Sequence, residues 1–247
     1  MLLLSACIQQ EFITPPLSNT LVVHGVLDPS SRDQVVAVQI ARGGNAPLEL
    51  VDDALVLLTL PDGRQVQATR DTTQPAPFGY HFRLDSLGFE LLAGGTYRLE
   101  IRIPDGRTVT GHTTIPLAQP VPLNAPLETM RYERDTVRMR WDRVPAARAY
   151  EVSVLSQTPQ FAHTNTFFAD TSVVLTTSTK GQNGNTFLSA GRPNVVAVTA
   201  VDSNYYDYYR RDSDFFSGVG LISHLEGAEG LFGAVVPIAG RSLKIVF

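Results

Sequence analysis

The sequence predicts an all-β fold, two β-sandwiches in tandem, and three observations carry that prediction. Runs rich in β-branched residues recur along the chain. The cleanest sets Tyr97, Leu99, Ile101 and Ile103 against Arg98, Glu100 and Arg102, an alternation that gives a strand one buried and one wet face. The phrase Pro-Asp-Gly-Arg occurs at 61–64 and again at 104–107, each time between two such runs. Glycine tolerates the positive φ of a tight turn, so both copies read as hairpins. Finally, 16 prolines and 19 glycines punctuate short segments throughout, and the 247 residues suit two domains of about 100 residues each.

Taken in order, residues 8–19 form an extended linker with Pro15-Pro16, and the first sandwich spans 20–116. Its strands are expected at 21–27, 34–41, 54–60, 65–69, 78–84, 96–103 and 108–114. Seven or so short strands in this space resemble an immunoglobulin-like sandwich. The proline-rich stretch Ile115–Pro122 is read as the hinge, and a second sandwich with a C-terminal extension as occupying 117–247. Thr136–Trp141 alternates and ends on the only tryptophan; a loop with Pro145 and Ala146 follows, then the strand Tyr150–Leu155. That order resembles the start of a fibronectin type III domain, which implies a core position for Trp141. Later strands are expected at 172–177 and 194–201.

Two late stretches are less regular. Tyr205, Tyr206, Tyr208 and Tyr209 fall within five positions around Asp207. As a helix this segment places Tyr205 on one face with Tyr208 or Tyr209, and Tyr206 beside Arg210. Two uses are open: rings packed on the second sandwich, or a partner-binding patch, since tyrosine offers rigid contact area at low entropic cost. Beyond it, Gly218, Gly220, Gly227, Gly230 and Gly233 match no dinucleotide or phosphate-loop fingerprint, and the tail is read as a glycine-rich loop packing back on the body.

The first residues carry a different signal. Leu4-Ser-Ala-Cys7 resembles the lipobox of bacterial lipoproteins, in which the peptide before the cysteine is removed and the cysteine accepts the lipid. Residues 1–7 are read as a shortened signal peptide ending in that lipobox, with Cys7, the only cysteine, as the lipidation site. Ile8, rather than Asp, implies the outer membrane for lipoproteins of this type. With Val51–Gly63, Gly95–Ile101, the Tyr-Asp-Tyr-Tyr segment and Glu226–Ala234, the chain resembles an uncharacterised family of Bacteroidetes-type outer-membrane lipoproteins, known as a domain of unknown function. That resemblance covers nearly the whole chain. It implies a surface or outer-membrane location and an accessory role beside TonB-dependent transporters, with no catalytic residues to carry over.

Chemistry is sparse. His24, His81, His112, His163 and His224 are scattered singly, without metal-ligand spacing, and no nucleophile elbow is present. Asp52-Asp53 is the one pair considered for Ca²⁺, without the loop pattern that would assign it. A net charge of −4 gives no footprint for nucleic acid, and no run of about 20 apolar residues is present to cross a membrane as a helix. The expectation is a non-enzymatic, lipid-anchored binding or assembly protein with an envelope protein as partner and no cofactor or metal. The alternatives are a polysaccharide hydrolase, which needs two carboxylates about 5–10 Å apart, and a structural subunit pairing strand edges between chains.

Overall fold

A computed structural model describes residues 19–42, 48–71, 81–85, 88–121, 127–156, 162–168, 170–180, 186, 188, 193–209 and 222–246. Cys7 and most of the 8–19 linker lie outside the described residues, as do Arg210, Gly218 and Gly220. The fold is all-β with a single short helix among those residues, as the alternating runs predict. No helix among them is long and apolar enough to cross a membrane.

The strands are β1 (Thr20–Leu27), β2 (Asp33–Ala41), β3 (Glu49–Leu50), β4 (Leu55–Thr59), β5 (Gln65–Gln67), β6 (Thr69–Asp71), β7 (His81–Asp85), β8 (Thr96–Arg102) and β9 (Thr108–Thr114). They continue with β10 (Leu127–Arg131), β11 (Val137–Arg140), β12 (Ala149–Ser156), β13 (Ala162–Phe168), β14 (Ser172–Leu175) and β15 (Pro193–Val201). Helix α1 (Ser203–Tyr209) and β16 (Glu229–Val246) complete the chain. The large sheet runs β13-β12-β15-β16-β1-β2-β7-β6, with β10 on β16 and β3 on β2; a four-stranded sheet runs β5-β4-β8-β9, and β11 pairs β14.

Both Pro-Asp-Gly-Arg phrases fold as read, and in the same way. In each, the glycine N–H donates to the residue before the proline, at 2.9 Å for Gly63 to Leu60 and 3.0 Å for Gly106 to Ile103. The glycines take φ of +85° and +92°, the left-handed position that closes a type I turn with a bulge. Asp62 and Asp105 each accept bonds from the following arginine's backbone N–H, at 3.0 Å, and from its guanidinium. These bonds hold both exposed carboxyls below the usual carboxylate range.

Two cores result. In the first, Leu21, Val23, Val36, Val38 and Leu84 of the large sheet pack against Val56, Leu58, Tyr97, Leu99, Ile101 and Val109 of the four-stranded sheet. In the second, Tyr150, Val152, Val196 and Val198 pack against Val137, Met139, Val173 and Leu175 of the β11–β14 pair. Each core holds a tyrosine whose hydroxyl accepts an upstream backbone N–H, from Leu92 to Tyr97 at 2.7 Å and from Val144 to Tyr150 at 2.8 Å. Trp141 packs at the edge of the second core, 5.3 Å from the Tyr150 ring. Its indole Nε1 is buried without a hydrogen-bond partner among the described residues. Residues 115–121 run between the cores, bonded through Leu117 N–H to Pro145 and Val121 N–H to Pro237, each at 2.9 Å.

The C-terminal tail corrects the sequence reading. From Glu229 it is no loop but the 18-residue β16, the longest strand among those described. Residues 229–234 pair in parallel with β1, 235–244 antiparallel with β15, and 242–246 in parallel with β10. Phe232, Ala234 and Val236 thereby enter the first core, and Leu243 and Ile245 the second. Glycine misled the reading because it serves close approach here. Gly230 has φ +123°, and a Cβ there would lie 1.9 Å from the Val23 carbonyl oxygen.

Candidate functional site

The tyrosine segment folds as a seven-residue helix, too short to persist alone in water, so its neighbours must hold it. Asp202, buried at the end of β15, caps it: Oδ1 accepts the Tyr205 N–H at 2.8 Å. The other oxygen, Oδ2, accepts the buried Thr113 hydroxyl of β9 at 2.5 Å. Burial pushes the Asp202 carboxyl above the usual range, against the pull of these bonds. Asn204 is a second clamp, its amide donating to the carbonyls of His112 at 2.7 Å and Phe232 at 2.8 Å. The helix is thus rooted on β9 and β16 together.

The four tyrosines then divide. Tyr205 and Tyr209, one helical turn apart, pack with their rings tilted by 52° and centroids 4.7 Å apart. Tyr205 donates to buried Glu151 of β12 at 3.1 Å, and Tyr209 bonds His24 Nε2 of β1 at 2.8 Å. Burial, reinforced by the neighbouring Glu151 carboxylate, drives the Tyr205 phenol far above its ordinary value, and burial pushes Tyr209 up to about 12. Partial dehydration lowers the pKa of His24, favouring the neutral imidazole beside the Tyr208 and Tyr209 rings. Tyr206 and Tyr208 stay half-exposed; Tyr206 carries the Arg148 guanidinium 4.7 Å above its ring, and Tyr208 stands edge-on to Tyr209 at 5.0 Å. The rings therefore pack on both halves of the molecule, through β1 as well as β12.

Among the described residues, three histidines meet this helix, which the linear spacing concealed. His24 bonds Tyr209, the His112 carbonyl accepts Asn204, and His224 Nε2 lies 3.0 Å from Asp207 Oδ2. The contact at His224 tethers residues 222–226 beside β9, where Glu226 and Thr110 exchange backbone hydrogen bonds of 2.8 and 3.0 Å. Between them lies a cavity of about 400 Å³ lined by Thr96, Arg98, Thr110, Gly111, His112, His224 and Glu226. Sequence reasoning missed it; the available signal was the cross-strand register of the second Pro-Asp-Gly-Arg hairpin, which sets Arg98 opposite His112.

Elsewhere, Asp52 is neutralised by Arg70 at 2.8 Å. No cluster of three or more His, Cys, Asp or Glu side chains suited to a metal occurs among the described residues. Two further cavities, of about 290 and 520 Å³, are lined by Ser30, Arg32, Gln34 and Glu90, and by Arg140, Trp141, Asp142 and Thr171, among others. Each of the three cavities has one carboxylate in its lining.

No curated protein matches the chain. A protein family described as a domain of unknown function, DUF4249, matches residues 10–235, most of its length. On that match, the chain belongs to the DUF4249 family.

Proposed function

We propose that this protein is a lipid-anchored binding or assembly module of the cell envelope, held through Cys7 at the outer membrane or cell surface. In this reading it is an accessory subunit of a larger complex such as a TonB-dependent transporter, and it is not an enzyme. The two halves are taken as immunoglobulin-like and fibronectin type III-like, in a Bacteroidetes-type lipoprotein. The observation that carries the reading is the division of labour on α1. Tyr205 and Tyr209 hydrogen-bond to β12 and β1 and so pin the helix, on which Tyr206 and Tyr208 are partly exposed with their rings against Arg148 and Tyr209. Rigid aromatic rings on a fixed element are the residues that dominate protein interfaces. The single carboxylate in each described cavity favours this reading over a glycosidase, whose chemistry needs a facing pair.

The test is affinity capture of the intact protein from detergent-solubilised membranes, beside Cys7→Ser and a Tyr206→Ala/Tyr208→Ala double variant. The wild type is expected to retain an outer-membrane transporter, the double variant to lose it while staying folded, and Cys7→Ser to leave the membrane fraction. An N-terminus found by mass spectrometry to be unlipidated and to lie upstream of Cys7 defeats the anchor. Equal capture by the double variant defeats the tyrosine surface.

A further inference from the structure

The cavity beside β9 has a built order. On the outward face of the β8–β9 hairpin, three successive rungs pair Thr96 with Thr114, Arg98 with His112, and Glu100 with Thr110. Rungs on one face of a sheet are about 7 Å apart along the strands. In the first rung the two hydroxyls bond each other at 2.9 Å. In the third, Glu100 is held by Arg102 at 2.7 Å, and Thr110 donates to Glu226 at 3.1 Å.

The middle rung stands apart. Arg98 has no carboxylate partner among the described residues, although eight other arginines do pair with one, and the residue directly across from it is His112. Across this rung no carboxylate balances the guanidinium, which leaves it to an anionic ligand beside the His112 imidazole. The third wall is His224, whose imidazole is already oriented by Asp207. One rung along, Glu226 and Thr110 present a carboxylate and a hydroxyl to the same cavity.

These groups define a ligand with two unlike ends. A planar anionic group suits the fork of Arg98 with the His112 imidazole, since guanidinium and carboxylate match in geometry. Glu226 repels a second negative charge but accepts hydrogen bonds from hydroxyls, and Thr96, Thr110 and His224 add further polar contacts. The spacing of the rungs is the breadth of one sugar ring, and about 400 Å³ falls in the range of small-ligand sites. We propose that this cavity binds the carboxylate-bearing unit of an acidic saccharide, with its carboxylate on Arg98 and His112 and its hydroxyls toward Thr110 and Glu226. The proposal does not depend on the Cys7 anchor or on the tyrosine surface.

The experiment uses the full chain with ¹³C-labelled histidines, titrated with galacturonate and, separately, with galactose and acetate through the millimolar range. Galacturonate is expected to shift the His112 and His224 ring resonances saturably. Galactose, lacking the charge, and acetate, lacking the ring hydroxyls, are expected to leave them in place at the same concentration. Arg98→Gln is expected to weaken the galacturonate response on the order of tenfold, the loss of one charge-assisted contact. Because Arg98 is exposed, the variant should melt with the wild type. No shift with galacturonate, an equal shift with acetate or galactose, or an undiminished shift in Arg98→Gln each overturns the proposal.

Discussion

The two cores share a strand and a device, yet they differ in where that device sits. Tyr97 accepts the N–H of Leu92, a residue 54% exposed, whereas Tyr150 accepts the N–H of Val144, 9% exposed. The first hydroxyl closes a loop at the rim of its core; the second satisfies a donor that water reaches far less. Strand β16 joins the two, giving Phe232, Ala234 and Val236 to one and Leu243 and Ile245 to the other. The same side-chain chemistry therefore sits in different surroundings in the two halves, and the first half is not complete within its own stretch of sequence.

The largest expected effect tests the shared strand. Gly230→Ala forces a Cβ onto the Val23 carbonyl at a positive φ, and the wild-type pairing of β16 with β1 cannot absorb it. A loss of roughly 3–5 kcal/mol is expected. Trp141, the single tryptophan, reports the second core alone, while circular dichroism reports both. Because β16 couples the cores, the fluorescence and dichroism midpoints should fall together in denaturant. A fluorescence midpoint that stays in place while the dichroism midpoint moves means that the cores unfold independently.

A smaller effect sharpens the contrast between the tyrosines. Tyr150→Phe strands the buried Val144 N–H and should cost about 1–3 kcal/mol, whereas Tyr97→Phe leaves a donor that water can serve and should cost about 0.5–1.5 kcal/mol. Equal losses in equilibrium urea unfolding would show that the rim position brings no relief.

The smallest effect belongs to the helix that bridges the halves. With its pKa lowered, His24 holds fewer protons in the folded state than in the unfolded one. Its contribution is then fully present above the ordinary histidine pKa of about 6.5 and is lost as pH falls through the folded value. His24→Gln should flatten the decline of stability on acidification relative to wild type, measured as the difference between their thermal midpoints across that window. Parallel pH profiles would remove His24 from the account.

Where local rules decide the outcome, the sequence was legible. β1, β2, β4, β8, β9, β12 and β15 fall within a residue or two of their alternating runs, since alternation follows directly from burying one face. Both turns were legible for the same reason: proline, aspartate and glycine each act within four residues. The short edge strands β3 and β6 had too few residues to show a period. β10 and β13 were also unassigned, because Leu127–Arg131 and Ala162–Phe168 do not alternate cleanly between apolar and polar residues.

What the sequence by itself determined is the all-β class and the hairpins, both consequences of neighbours within a few positions. Only the tertiary structure decided that the glycine-rich tail is the strand joining two cores. It alone bonded Tyr205 to β12 and Tyr209 to β1, and it brought Arg98, His112, His224 and Glu226 around one cavity. Each of these depends on which strand lies beside which. Val23 and Gly230, or His112 and Asn204, are neighbours through pairing and hydrogen bonding across the chain, and no local period encodes that.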